Sequence, residues 1–328
     1  MGSTRRHFLL SSGAGLATAP WALGSQAQAP AWPSKPIRLI VPFPPGGTTD
    51  LVSRLVATEL AKALGQPVVV DNKPGAGTVI GVDAAAKSPG DGHTLVTVAN
   101  SFCANQTLHK KLPYDAARDL RPVALMGLSE HVLACHPAAG FKTLAELIAA
   151  AKKAPGKYAY ASFGNGTSAH LSGAMLAAQA GIELIHVPYK GQAPALQDLL
   201  AGQVALMFGN WPEFRGHVRS GKLLALGMAT ARRSAYAPDI ATLAEQGLAL
   251  ESNSWNGVLA PAATPDEVVA RLNAEIQKAL QATAVQQAFR DGSIAAMGGS
   301  AASFQGFIAS ETDKYAQVIR KAGITLDS

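Results

Sequence analysis

Two glycine-rich stretches, each followed by a helical pattern, hold the residues whose chemistry is easiest to interpret. The first is Gly46-Gly47-Thr48-Thr49-Asp50, and the second is Gly164-Asn165-Gly166-Thr167-Ser168, which is followed by His170. Backbone N–H groups at the start of a helix attract anions, and the helix dipole adds to this attraction. Thr48 or Thr49 is the expected N-cap of the first helix.

Neither stretch carries the G-K-[ST] or G-x-G-x-x-G pattern of a loop that binds nucleotide phosphates. Amide and hydroxyl donors from the two stretches would instead suit a carboxylate or dicarboxylate, because such a group can be bound without a buried, permanently charged side chain. The alternative is that both stretches are ordinary capped helices with glycines in their turns.

Other polar and aromatic residues extend this candidate site. Ser101 and Asn105 follow the third predicted strand and would lie at the same edge of the sheet. The aromatic residues near the loops are Phe43, Phe102, Phe163, Phe208 and Trp211. Core packing is the alternative for most of them, whereas two or three rings in a cleft would favour a ligand with an apolar or flat middle.

Catalysis has less support in the sequence. His170 lies next to Thr167 and Ser168, which invites a nucleophile–base interpretation. However, there is no G-x-S-x-G motif and no acidic residue close in sequence to orient the imidazole. No spacing typical of metal ligands is present, so we expect no catalytic residue, no metal and no cofactor. Cys103 and Cys135 are either two buried thiols or a disulfide, and the sequence leaves this open.

The charge distribution argues against nucleic-acid binding. The chain has 328 residues, 48% of them hydrophobic and 15% charged, and a formal net charge of +6. Its Lys and Arg residues are scattered among acidic ones, without a basic run or an aromatic-rich basic stripe. This length is enough for two compact domains, each with a core of its own.

The first residues resemble an export signal. Arg5-Arg6 precedes a short apolar stretch interrupted by glycines, which is typical of a twin-arginine signal and too short for a stable membrane span. We expect residues 1–27 to be a signal peptide that is cleaved after Ala27. The stretch contains no Cys, which excludes a lipoprotein anchor, so the mature protein is expected in the periplasm.

The remaining chain alternates strand and helix patterns, which predicts two α/β lobes with parallel strands. In the first lobe, strands are predicted at 37–43, 68–70 and 94–98, and helices at 50–64 and about 75–87. The pattern restarts near residue 134, with strands at 158–162, 185–187, 205–208 and 223–229 and helices at 143–153, 169–180 and 193–200. Thr264 is expected to cap a helix at 265–280, and a last helix covers 303–322. Ligands bind such sheets beyond the carboxyl ends of the strands.

Several stretches, in order along the chain, resemble one family. They are Pro36-Ile-Arg-Leu-Ile-Val-Pro-Phe-Pro-Pro-Gly-Gly47, Asp71-Asn-Lys-Pro-Gly-Ala-Gly77, Lys111-Leu-Pro-Tyr-Asp115, Gly164-Asn-Gly-Thr-Ser-Ala-His170, His186-Val-Pro-Tyr-Lys-Gly191, Arg271-Leu-Asn273 and Lys321-Ala-Gly-Ile324. The chain resembles the substrate-binding proteins of tripartite tricarboxylate transporters, which are called Bug proteins in Bordetella.

This resemblance implies a type II periplasmic binding fold, with two α/β lobes that are joined by two crossing strands and close on a ligand. Residues 34–133 and 252–328 would form lobe 1, and residues 134–251 would form lobe 2. It also implies a carboxylate site that includes Gly47, Thr48, Thr49, Ser162, Asn165, Thr167, Ser168 and His170. The implied partners are the permease subunits of the transporter.

This sequence departs from the family pattern at four positions that concern the ligand. Thr48 stands where many relatives have a third glycine, and Gly209 stands where many have an aspartate before Asn210. Gly209 and Asn210 are therefore included in the candidate site. Without that acid we expect amino acids to fit less well than plain or aromatic carboxylates. Gln106 and His109 also depart from the pattern, which suggests a reshaped segment beside Asn105.

The sequence thus predicts a monomeric solute receptor for a small organic carboxylate, either a dicarboxylate or an aromatic carboxylate. We expect it to deliver this ligand to a secondary transporter of the tripartite tricarboxylate type. Two other functions stay open at this point. One is a periplasmic hydrolase that uses His170, and the other is a sensory receptor for a carboxylate.

Overall fold

Strands and helices alternate along most of the computed structural model, which describes residues 32–325. The strands are β1 (Ile37–Val41), β2 (Val68–Asn72), β3 (Thr94–Val98), β4 (Leu120–Cys135), β5 (Ala159–Ser162), β6 (Ile185–Pro188), β7 (Leu206–Asn210), β8 (Leu224–Met228), β9 (Asn253–Pro261) and β10 (Ile294–Ala296). The helices are α1 (Thr48–Leu64), α2 (Val79–Ala86), α3 (Asn100–Leu108), α4 (Leu144–Lys153), α5 (Ser168–Ala180), α6 (Gln192–Leu200), α7 (Trp211–Arg219), α8 (Asp266–Gln281), α9 (Thr283–Asp291) and α10 (Ala301–Ala322).

The long strand β4 belongs to both halves of the sheet system. From Leu120 to Glu130 it pairs antiparallel with β9, and from His131 onward it pairs with β7 and β8. The strand order is β2-β1-β3-β9-β4-β7-β5-β6, with β10 and β8 also paired to β4. A single strand thus passes from one half to the other between Glu130 and His131.

Each half contains parallel strands of the predicted kind. In the first, β1 lies between β2 and β3 and is parallel to both. In the second, β5 lies between β6 and β7 and is again parallel to both. Parallel neighbours place the carboxyl ends of their strands at one edge of the sheet, so the loops that follow them meet there. The predicted two-lobed α/β fold class is confirmed.

Four apolar clusters fix the helices on the two faces of each half. Helices α1, α8 and α9 pack on one face of the first half, and α2, α3 and α10 pack on the other. In the second half, α4 and α5 pack on one face, and α6 and α7 on the opposite one. These layers hold the start of each helix at a fixed position relative to the strand before it.

The sequence missed some elements and misplaced two helix starts. Helices α3, α7 and α9 and the whole length of β4 and β9 were not predicted. Thr48 and Thr49 do not cap α1, because Gly47 is the N-cap. Likewise Pro265, not Thr264, is the N-cap of α8. Cys103 and Cys135 are free, buried thiols in different apolar clusters, so the disulfide alternative is wrong.

Two sequence predictions stay predictions. The predicted signal peptide, residues 1–27, lies outside the described residues. The predicted lobe limits, 34–133 with 252–328 and 134–251, stay a prediction. We retain them because β4 changes pairing partners close to residue 133.

The strand β9 contains a glycine whose missing side chain is required by packing. A Cβ atom on Gly257 would lie 2.1 Å from Cζ of Phe304 in α10. We expect Gly257→Ala to lower the free energy of unfolding by about 1–3 kcal/mol, because the ring must move within a packed core. The measurement is urea denaturation. Gly306→Ala, in the same α10 with no atom within 4 Å of its added Cβ, is the control and should raise stability by about 0.5–1 kcal/mol.

Candidate functional site

A cleft lies where helices begin after the carboxyl ends of strands from both halves. It encloses about 590 Å³ of atom-free space, part of it open to solvent. Eight of the predicted site residues line it: Phe43, Gly47, Thr48, Thr49, Ser101, Thr167, Ser168 and Asn210. The lining residues that the prediction did not include are Pro44, Pro45, Asp50, Ala99, Asn100, Phe163, Gly191, Gln192, Ala193, Pro194 and Ser254.

The first glycine-rich loop is held in place by a buried acid. The Asp50 carboxylate accepts hydrogen bonds from the Gly46 N–H at 3.1 Å, from Arg54 Nε at 2.9 Å and from Asn72 Nδ2 at 2.9 Å. Burial alone would raise the pKa of Asp50, but the hydrogen bonds from Arg54, Asn72 and Gly46 outweigh it and lower that pKa. Asp50 is therefore a loop-positioning anion that is already neutralised by Arg54.

Thr48 is bonded to a carboxylate of the same chain. Its backbone N–H and its Oγ1 both donate to Glu213 Oε1, at 3.1 and 2.5 Å. Thr48 Oγ1 also accepts from Asn210 Nδ2 at 3.1 Å. The sequence analysis did not predict Glu213. Its place in the first turn of a helix that follows a strand is the signal by which it could have been identified. Position 209 carries no acid, but Glu213 places a carboxylate directly behind Thr48.

The second glycine-rich loop is held by its own hydrogen bonds. Thr167 Oγ1 donates to the Gly164 carbonyl at 2.7 Å, and the Gly166 N–H donates to His170 Nδ1 at 3.1 Å. Ser168, the first residue of α5, lies with its Oγ 3.2 Å from Nε2 of His131. These contacts direct the start of α5 at the cleft.

Five predicted residues do not line the cleft. Ser162 Oγ is 2.7 Å from His186 Nε2, and the His170 ring stacks on His186 with centroids 3.9 Å apart. Asn105 Nδ2 donates to the Gly77 carbonyl at 2.8 Å. The remaining two are Asn165, which is exposed, and Gly209, whose added Cβ would lie 2.0 Å from Cε2 of Phe214.

A third helix start, which the sequence analysis did not single out, also lines the cleft. Gly191 is the N-cap of α6, and Gln192, Ala193 and Pro194 form its first turn. The Gln192 side chain is buried and its Nε2 has no hydrogen-bond partner within residues 32–325. The signal was present in the sequence, because Gly191 follows a strand and precedes a helix just as the other two loops do.

The electrostatics of the cleft come from the backbone. Its lining includes no Lys, Arg or His, and its one acid, Asp50, is paired with Arg54. Five helices, α1, α3, α5, α6 and α7, have their N-cap residues in the lining of the cleft, and each start carries roughly half a positive charge. The arrangement can therefore hold an anion with N–H groups and hydroxyls.

Two histidines near the cleft, His131 and His170, are poorly suited to act as a catalytic base. Burial lowers the pKa of His131 to about 3, and its Nδ1 is bonded to Ser252 Oγ at 3.0 Å rather than to a carboxylate. Burial also lowers the pKa of His170 to about 4, and its Nδ1 is engaged by the Gly166 N–H. A general base works best with a pKa near the working pH, so neither imidazole is suited to that task.

Two further structural facts bear on the class of protein. Between residues 32 and 325, no group of three or more His, Cys, Asp or Glu side chains is placed to hold a metal ion. Within the same part of the chain, no helix combines the length and the apolar character that a membrane span requires.

Two α/β halves joined by a shared strand, with an anion-binding cleft at their helix starts, define a solute-binding protein of the periplasmic binding protein class. The sequence matches the family TctC, "Tripartite tricarboxylate transporter family receptor", over residues 52–324. The chain belongs to this family, which confirms the family identified from its sequence motifs.

Individual relatives support the same conclusion. BugT of Bordetella pertussis is 38% identical over 315 residues, which are 95% of this chain and 97% of that protein. The structure of R. palustris Rpa4515 with adipate has a TM-score of 0.85 at 32% identity, covering 90% of this chain and 99% of that one. MatC from Rhodopseudomonas palustris with bound malate has a TM-score of 0.82 at 30% identity, covering 88% and 99%.

The buried carboxylate of Glu213 predicts a pH-dependent difference in stability. Burial raises its pKa above the ordinary 4.5, so ionisation is disfavoured in the folded state, and the hydrogen bonds from Thr48 only partly offset this. The penalty is absent while the unfolded chain is also protonated and grows as pH rises above about 4.5. Compared with wild type, Glu213→Gln should therefore gain stability as pH rises from about 4 to about 8.

Urea denaturation at several pH values measures this difference. Glu267→Gln makes the same chemical change in the first turn of α8, where Glu267 is exposed, and is the control. A difference from wild type that grows no more with pH for Glu213→Gln than for Glu267→Gln would contradict the prediction.

Proposed function

We propose that this protein is an exported receptor that captures a small organic carboxylate and delivers it to the membrane permease subunits of a tripartite tricarboxylate-type transporter. The observation that carries this proposal is the cleft where α1, α5 and α6 begin without any basic lining side chain. Helix starts suit a carboxylate because their N–H groups lack intrahelical partners. Export through the twin-arginine route into the periplasm, and action as a monomer, are parts of the same proposal.

The middle of the cleft favours a ligand with an apolar body. Phe43 and Phe163 both line it, together with prolines 44, 45 and 194. Phe102, Phe208 and Trp211, the other aromatic residues considered from the sequence, are buried in apolar clusters instead. A carboxylate attached to an aliphatic chain or an aromatic ring fits this combination of polar ends and apolar walls. The relatives crystallised with adipate and malate support a carboxylate ligand.

The donors that remain for a ligand lie on both sides of the cleft. On the first side, Thr49 Oγ1 makes no hydrogen bond with any described residue and faces the cleft. On the second side, the start of α5 offers the N–H groups that follow Thr167. A carboxylate that contacts both sides would stabilise the state in which the lobes are together, which is a population shift between two arrangements.

The periplasmic hydrolase is the weaker alternative. It would need His170 or His131 to accept a proton near neutral pH, and burial lowers the pKa of both, to about 4 and about 3. His170 also lies outside the lining of the cleft.

A thermal-shift screen of mono-, di- and aromatic carboxylates tests the proposed function. A ligand at 100 times its dissociation constant adds about 2.7 kcal/mol to the free energy of unfolding, so a true ligand raises the melting temperature clearly. A screen that gives no shift with any carboxylate would contradict the proposal.

The best ligand of that screen then tests the role of Thr49. Thr49→Val keeps the shape of the side chain and removes the hydroxyl, so we expect affinity to fall by about 10- to 150-fold, the loss of one hydrogen bond to a charged group. Thr58→Val, on the exposed face of the same helix, is the matched control and should bind as wild type does. Equal affinities for the two variants would show that the Thr49 hydroxyl does not bind the ligand.

A further inference from the structure

Glu213 is a carboxylate that the protein itself supplies at the start of α1. It lies in the first turn of α7, in the second half of the fold, and reaches Thr48 in the first. Its Oε1 accepts both the N–H and the hydroxyl of Thr48, at 3.1 and 2.5 Å. Thr48 lines the cleft, so the two donors that Glu213 occupies are donors that a ligand carboxylate would otherwise use.

No cation neutralises this acid within residues 32–325. Glu213 takes part in none of the ion pairs there, and its Oε2 is buried beside the neutral amide of Gln192, which lowers the pKa of Glu213 and so offsets part of the rise that burial causes. Two helix starts, those of α1 and α7, are its main electrostatic support. An acid in this position has a cost in stability, which indicates that its charge serves the cleft rather than the fold.

Packing fixes Glu213 at this place. The next residue, Phe214, is fully buried, and its ring lies where a side chain at Gly209 would otherwise extend. The pairing of Gly209 with Val132 of β4 holds the strand that precedes α7. These contacts hold the start of α7, and with it the backbone of Glu213, beside the start of α1.

The charge available in the cleft is small, which gives Glu213 a large effect. Each helix start carries roughly half a positive charge, and Glu213, when ionised, supplies a full negative charge at the start of α1. The positive charge that remains lies at the starts of α3, α5 and α6, which suits a carboxylate there. A second carboxylate that accepts from Gly47 or Thr49, the neighbours of Thr48, would lie beside Glu213, and two like charges at such close range repel strongly enough to change affinity more than tenfold.

Resting on the proposed function, we propose that Glu213 is a specificity-determining residue that selects the charge at the far end of the ligand. The cleft accepts a monocarboxylate whose other end is neutral or cationic. It discriminates against a dicarboxylate whose second carboxylate reaches the start of α1. Among the ligand classes considered above, this favours a plain aromatic or aliphatic monocarboxylate.

Two ligand series of matched length test this proposal by calorimetric titration. The aliphatic series is hexanoate, 6-aminohexanoate and adipate, and the aromatic series is benzoate, 4-(aminomethyl)benzoate and terephthalate. With wild type, we expect the dicarboxylate of a series to bind at least about tenfold more weakly than its neutral or cationic analogue. With Glu213→Gln, which keeps the shape and removes the charge, the preference should shift towards the dicarboxylate by at least about tenfold.

The controls separate charge from structure. Glu267→Gln removes an equivalent charge from the first turn of α8, away from the cleft, and should keep the wild-type order. Glu213→Ala also lacks the charge and should show the same shift as Glu213→Gln, so the test does not depend on one variant folding well.

The outcomes distinguish this proposal from the proposed receptor function on which it rests. If wild type and Glu213→Gln bind the members of a series in the same order of affinity, Glu213 does not determine specificity. The proposed receptor function would still stand. A wild-type preference for the dicarboxylate would also overturn the role of Glu213. Absence of binding by wild type to every member of both series would count against the carboxylate receptor itself.

Discussion

The N–H groups at the start of an α-helix have no partner within the helix, and this protein places five such helix starts at one cleft. The position of the cleft depends on this constraint. It lies beyond the carboxyl ends of parallel strands because that is where the connecting loops turn into helices. The absence of basic side chains from its lining follows the same logic, since oriented backbone dipoles can hold an anion without a buried lysine or arginine.

These helix starts belong to both halves of the fold, so they meet at one cleft only if the two halves are held in a fixed arrangement. Strand β4 does this by pairing with β9 in one half and with β7 and β8 in the other. His131, the first residue of its second segment, connects Ser168 at the start of α5 with Ser252 just before β9. Burial keeps this imidazole neutral, with a pKa of about 3, so its two nitrogens can be bonded to hydroxyls without a charge in the interior. The cleft is thus linked directly to the strands that join the halves.

The acids around the cleft have different roles because their partners differ. Asp50 is paired with Arg54 and bonds to the Gly46 N–H, so it shapes the loop while adding little net charge. Among the described residues Glu213 has no such cation, and it bonds to Thr48 in the first half of the fold. Two carboxylates on neighbouring elements therefore differ in what they do to a ligand, and the difference arises from a single arginine one helical turn away from Asp50.

The sequence by itself determined the local elements around the site. Strands β1 and β5 and helices α1 and α5 were predicted because apolar runs, glycine turns and helical periodicity are encoded in consecutive residues. The family was also identifiable from short motifs distributed along the chain. By contrast, β4 was missed altogether, because a strand that changes partners along its course leaves no single periodic pattern.

Only the tertiary structure decided which of these residues face the cleft. Thr48 looked like an N-cap and a ligand donor, yet its hydroxyl is bonded to Glu213, which is 165 residues away in the chain. His170 and Ser162 belong to the predicted loop but lie behind it, stacked on or bonded to His186. Gly191 and Gln192 face the cleft because β6 lies beside β5. Long-range pairing of strands and packing of helices produce these contacts, and local sequence patterns do not encode them.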